Sequence, residues 1–147
     1  MEETPQTPHA FAFAPAPHRD FLLRALPLLR DCPLLTGVAA GGSFAERRMD
    51  AYSDLDLVLV AEPRAWPAVL DERRTLAATL GPLLASFTGE HVGEPRLLIC
   101  LYGPPLLHVD LKFMPPEALA ERVEEPVVLF DRRGLLRAGL SEGEARY

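Results

Sequence analysis

Apolar and polar positions alternate strictly from Asp54 to Val60. Asp54, Asp56, Val58 and Val60 fall on one side, and Leu55, Leu57 and Leu59 on the other. A period of two is the mark of a strand with two unlike faces. Leu34–Ala40 is a short apolar run closed by Gly41-Gly42, which predicts a buried strand entering a tight turn. Arg96–Tyr102 and Leu106–Phe113 are two further strand-like runs joined by Gly103-Pro104-Pro105, which predicts an antiparallel pair. Val127–Phe130 predicts a last short strand, followed by a turn at Arg132-Arg133-Gly134.

Helical spacing fills the intervals. Leu22, Ala25, Leu26 and Leu29 form a stripe within His18–Arg30, with Pro27 expected to kink that helix or open a new turn. Trp66–Phe87 carries a stripe of Val69, Leu76, Leu80, Leu83 and Phe87, broken into two pieces at Gly81-Pro82. Pro115-Pro116-Glu117 opens a helix running to about Val123. Ser43-Phe44-Ala45-Glu46 has the form of a capping box, so a short helix is expected there. Pro5, Pro8, Pro15 and Pro17 make 1–17 an irregular arm, with Phe11 and Phe13 as its anchors. The order of elements predicts a single mixed α/β, or α+β, domain over 18–147.

The chain has 147 residues, enough for one domain with a substantial core. Its 21 acidic residues outnumber 15 basic ones, for a net charge of −6. That balance disfavours a protein that grips long nucleic acid along its backbone. No run of eighteen apolar residues predicts a membrane span. The acidic start, Met1-Glu2-Glu3, is unlike a secretory signal, and Cys32 and Cys100 have no partner at metal-ligand spacing. Both cysteines are read as buried reduced thiols, and the expected location is cytoplasmic.

Three separated features carry candidate chemistry. Gly41-Gly42-Ser43 follows the first strand, and ten residues separate Ser43 from Asp54-Leu55-Asp56. Asp110 lies inside the apolar strand Leu106–Phe113. Carboxylates at i and i+2 of a strand point the same way, about 6–7 Å apart. With a third acid from a neighbouring strand they can converge on one or two hard cations. Close carboxylates repel, so the cluster asks for such a cation. Glycines let backbone approach phosphate, and free N–H groups at the start of a helix attract anions. A cation site beside an anion site suits a nucleoside triphosphate.

Blander readings stand beside these. Ser43 also reads as a helix cap. Lys112, the only lysine, either meets phosphate or neutralises Asp110. His108 borders the site but reads more simply as a satisfied strand histidine. Arg47 and Arg48 read as a solvated helix face, and Trp66 as core packing.

Gly42-Ser43, ten residues, then Asp54-Leu55-Asp56, with Asp110 on a later strand, resembles the nucleotidyltransferase superfamily that includes DNA polymerase beta. The similarity is greatest to the aminoglycoside and lincosamide nucleotidyltransferases and the minimal nucleotidyltransferases, and covers roughly residues 20–130. The resemblance implies a nucleotidyltransferase core, a small mixed sheet with helices mainly on one side. It implies Mg²⁺ held by Asp54, Asp56 and Asp110, with Asp110 also able to help deprotonate the attacking hydroxyl. It implies that Gly42 and Ser43 hold the triphosphate; Gly41 and Lys112 beside them are the further candidates for nucleotide binding. The implied reaction passes a nucleoside monophosphate to a hydroxyl of a small molecule or protein, releasing pyrophosphate.

The larger antibiotic-modifying enzymes carry a helical domain after this core, where here only Leu135–Tyr147 follow the last predicted strand. The expected complement is a second protein surface over the site, from a homodimer or a helical partner. The competing function is an antitoxin-type, partner-binding module with weak or no catalysis. A template-directed polymerase is disfavoured by the charge.

Overall fold

The computed structural model describes residues 11–90, 93–121 and 125–141. Helices α1 (Ala16–Arg30), α2 (Gly42–Ala45), α3 (Arg73–Thr79) and α4 (Leu135–Ser141) surround strands β1 (Leu35–Gly41), β2 (Leu55–Ala61), β3 (Leu83–Gly89), β4 (Glu94–Tyr102), β5 (Leu107–Met114) and β6 (Val127–Asp131). Short 3₁₀ turns occupy Pro63–Ala65, Ala68–Glu72 and Pro116–Glu121. The strands form one mixed sheet of six in the order β3-β4-β5-β2-β1-β6. Only β2 and β5 pair in parallel; the other neighbours are antiparallel. This is the α+β architecture with a small mixed sheet that the sequence predicts.

Alternation decides which face meets which layer. Leu55, Leu57 and Leu59 of β2, Val109, Leu111 and Phe113 of β5, and Leu98 and Cys100 of β4 join α1 and α3 in the main core. From α1 come the predicted Leu22, Ala25, Leu26 and Leu29, together with Phe21. The helix begins at Ala16, two residues before the expected His18, and runs on through Pro27. Pro17 at its first turn has no N–H to waste, which favours that earlier start. Phe11 is buried and packs with Phe13 around Phe44, so the described part of the arm is anchored as expected. Residues 1–10 of the arm lie outside the described residues.

The opposite face has a second, smaller core of Ala39, Val60, Met114, Leu119 and Leu136. The Pro116–Glu121 turn and the short α4 cover it, while α1, α2 and α3 pack on the main-core face, so the helices lie mainly on one side, as expected. Buried Asp131 fixes α4 by accepting the N–H groups of Leu136 at 3.2 Å and Arg137 at 3.0 Å. The end of the predicted helix at Val123, and 142–147 of the segment after the last strand, fall outside the described residues.

The segment Trp66–Phe87 departs most from expectation. Its second half is the edge strand β3, not a helix, and its first half is a 3₁₀ turn followed by α3. Leu83 and Phe87 are four apart, a spacing that a helix and a short strand both accommodate. Pro82 ends the helix, because proline pushes the residue before it out of the helical region. The last carbonyls of α3 are taken by Tyr102 Oη, donating to Ala77 O at 2.7 Å, and by Arg24 Nε, donating to Leu80 O at 3.1 Å. Trp66 packs on the core, as expected.

Cys100 is buried but Cys32 is half-buried, which corrects the reading of two buried thiols. Burial pushes the Cys100 thiol from 9.0 up to about 12, and burial likewise raises the Tyr102 phenol above its ordinary range. Both groups keep their protons in the folded state at a pH where the unfolded chain has lost them. The stability they contribute is complete below pH 9.0 and falls as pH rises towards about 12. Denaturant titrations across that window should show the decline, and Cys100→Ala should flatten it. At pH 8 a thiol-alkylating reagent should modify Cys32 in the folded protein and reach Cys100 only after unfolding.

A candidate metal and nucleotide site

The parallel β2–β5 pair builds the site. Because the leucines of β2 and the Val109, Leu111 and Phe113 side of β5 both enter the main core, the strands align with Leu55 opposite Val109, Asp56 opposite Asp110 and Val58 opposite Lys112. A one-residue slip would bury the acids. Neighbouring strands run about 4.8 Å apart, so Asp56 and Asp110 stand side by side on the face opposite the main core.

Asp54 sits one residue ahead of β2 and His108 one residue before Val109. The turn that carries Asp54 is held from within. Asp50 Oδ1 accepts the Tyr52 N–H at 2.9 Å, and Ser53 Oγ accepts the Asp50 N–H at 2.9 Å. His18, buried on α1, donates from Nε2 to Ser53 O at 2.7 Å. Its Nδ1 has no hydrogen-bond partner, so the ring serves this one carbonyl.

The imidazole of His108 lies between two acids. Its Nδ1 is 3.2 Å from Asp54 Oδ1, and its Nε2 is 2.7 Å from Asp110 Oδ1. One ligand atom from each of Asp54, His108 and Asp110 lies within 4.8 Å of the other two. The three are half-exposed, and solvent can reach them.

The glycine turn meets this cluster directly. Gly41 ends β1 opposite Asp56. Gly42 has φ +58, a left-handed backbone that favours glycine, and a methyl built on it would collide with Asp56 Oδ2. The two halves of the expected site are therefore in contact. The capping box is not formed: Gly41, not Ser43, is the N-cap of α2, and no side chain caps that helix. At four residues α2 is also too short to build a helix dipole. Any attraction for an anion comes from individual N–H groups. Arg47 stacks over the Phe13 ring at 4.2 Å.

Two clefts flank the acids. One, of about 200 Å³, is lined by Gly41, Asp56, Asp110 and Lys112 with apolar Val58, Leu97, Met114 and Leu119. The other, of about 230 Å³, is lined by Asp54 and His108 with Tyr52 and Leu106, which are 94% and 71% exposed. Ser43 lines neither. A larger cavity of about 270 Å³, between α1 and the Gly103–Pro105 turn, contains Asp20 and Arg24 but none of the acid cluster. Lys112 does not neutralise Asp110; its Nζ lies 3.0 Å from Glu94 Oε2.

The structure thus brings Gly41, Asp56, Asp110 and Lys112 to one cleft and joins Asp54 to Asp110 through His108. Reading His108 as an ordinary strand histidine missed that link. The signal was present in the alternation His108-x-Asp110-x-Lys112, which puts all three on one face. Glu94 left no local signal, since it reaches Lys112 from a neighbouring strand. Compared with known proteins, the chain matches no family model and no curated protein.

Proposed function

We propose that this chain is a divalent-cation-dependent nucleotidyltransferase. It passes a nucleoside monophosphate from a nucleoside triphosphate to a hydroxyl acceptor, a small molecule or a protein, and releases pyrophosphate. The observation that carries this reading is the contact of the Gly42 backbone with Asp56, with Asp110 in register on the next strand. That arrangement sets backbone suited to phosphate against carboxylates suited to a cation.

Asp54 and Asp110, which lie in one group with His108, and Asp56 beside Asp110 would hold a divalent ion; carboxylates alone would suit Mg²⁺. When bound, the ion would neutralise charge on the phosphate and on the departing oxygen. The chain's own groups supply the rest. Backbone of Gly41, Gly42 and Ser43 would face the triphosphate. Lys112 stands in the same cleft, and its pair with Glu94 is one-third exposed at each end. Such pairs contribute about 0–1 kcal/mol, so a phosphate oxygen can replace Glu94 at little cost. The apolar wall of Val58, Leu97 and Met114 would receive the uncharged part of the nucleotide. The acceptor would approach from the cleft of Tyr52 and Leu106, on the other side of the acids. Its oxygen would attack the α-phosphorus as the bond to the β-phosphate oxygen breaks, and Asp110 would take the hydroxyl proton.

The high exposure of Tyr52 and Leu106 at the acceptor side also supports a protein, another copy or a helical partner, covering that cleft. Among the described residues no helix is long and apolar enough to cross a membrane. Incubation with each common triphosphate, Mg²⁺ or Mn²⁺, and a panel of hydroxylated acceptors should yield pyrophosphate and a nucleotidylated product of matching mass. Triphosphate left intact with every acceptor, including proteins from the native host, would count against transfer.

A further inference from the structure

We infer that His108 is itself a metal ligand, and that it makes the acid cluster a mixed nitrogen–oxygen site selective for a first-row transition ion such as Mn²⁺ over Mg²⁺. The inference rests on the cation-binding part of the proposed function and adds to it a ligand and a choice of metal.

Three observations carry it. First, strand alternation aims His108 and Asp110 to the same face of β5, and the ring lies between two carboxylates, 3.2 Å from Asp54 and 2.7 Å from Asp110. An ion held by those two acids would lie within reach of the imidazole, because one atom from each of the three residues lies within 4.8 Å of the others. Second, both ring nitrogens face carboxylate oxygens. One nitrogen can therefore bind metal while the other keeps an acid partner that fixes its tautomer, as metal-bound histidines usually require. Third, the strand's cation is engaged elsewhere: Lys112 reaches Glu94 at 3.0 Å. Among the described residues, the ion pairs of Asp54 and Asp110 both end on His108. One imidazole carries at most one positive charge, so the two acids around it retain a negative excess for a divalent ion to balance.

The metal follows from the donor chemistry. Mg²⁺ takes oxygen ligands in a near-ideal octahedron and keeps several waters. Imidazole suits the first-row transition ions, whose affinity for nitrogen and oxygen donors rises from Mn²⁺ through Fe²⁺ and Co²⁺. A site of two carboxylates and one imidazole should hold Mn²⁺ more tightly than Mg²⁺.

The test titrates the full chain, without nucleotide, with Mn²⁺ and with Mg²⁺ by calorimetry. The same titrations are run on His108→Gln, which keeps a polar side chain and removes the imidazole. The wild type should bind Mn²⁺ at least about tenfold more tightly than Mg²⁺. The variant should lose about 10–100-fold in Mn²⁺ affinity and change little towards Mg²⁺. Spin-echo modulation of bound Mn²⁺ should reveal a directly coordinated ¹⁴N in the wild type, a readout independent of whether the variant folds. Equal affinities for the two ions, no metal binding, or bound Mn²⁺ without a nitrogen signal would each overturn the assignment. Selective Mn²⁺ binding with the nitrogen signal, but no effect of any triphosphate, would uphold His108 as ligand while the transferase reading fails.

Discussion

Asp56→Asn should lower pyrophosphate release by about 10²–10³-fold, the loss typical when one preorganised electrostatic group is taken from a transition state. The substitution keeps size and shape, so the strand should keep its register. Asp56 stands at the convergence of the site: beside Gly41 in the sheet on one side, opposite Asp110 on the other, and against Gly42. Losing its charge removes a donor for the cation without opening a cavity. Without metal the variant should melt no lower than the wild type, since one of several repelling carboxylates is gone. Initial rates and thermal melts on the two proteins check both halves. A rate within threefold of the wild type would show that Asp56 is a structural residue.

Gly42→Ala should abolish most of the same activity and also destabilise the fold. Forcing alanine into a left-handed backbone at φ +58 costs about 1–2 kcal/mol. For a chain of this length that is a fall of about 2–8 °C in Tm. The new methyl also runs into Asp56 Oδ2, and relief comes by turning that carboxylate out of its place beside Asp110. Gly134→Ala provides the control. Gly134 also has a positive φ, +77, but nothing stands within 4 Å of a methyl there. It should lose similar stability and keep its transfer rate. A Gly42→Ala protein that turns over normally would break the proposed link between the glycine turn and the acid cluster.

Most of the sheet was legible because strand signals are local. β2 and β5 follow from alternation, and β1, β4 and β6 from short apolar runs closed by turn residues. The shared face of Asp56 and Asp110 follows as well, since two strands that bury alternate apolar residues on one side must display the rest on the other. β3 was not legible. A short apolar run at an edge satisfies helical and strand spacing alike, and only pairing with β4 decides between them. The capping box failed because Gly42 already turns left-handed, which moves the helix start ahead of Ser43. The covering of the second face by α4 depends on buried Asp131 holding the first turn of that helix, a contact that spacing does not announce. In the site, the residue types and their strands could be read, but not the partners. The second acid at the His108 ring, Asp54, and the choice of Glu94 by Lys112 are set by neighbouring strands distant in sequence, whereas Asp110 lies two residues along the same strand.

The central claim is that the acid cluster and the glycine turn form one site for a metal-bound triphosphate. Calorimetric titration of the wild type and Asp56→Asn with each common nucleoside triphosphate, in the presence and absence of Mg²⁺ or Mn²⁺, tests it most directly. The account predicts heat for at least one triphosphate with the wild type, dependent on the divalent ion and absent from the variant. No heat at millimolar nucleotide with either ion, or equal binding by the two proteins, would contradict it.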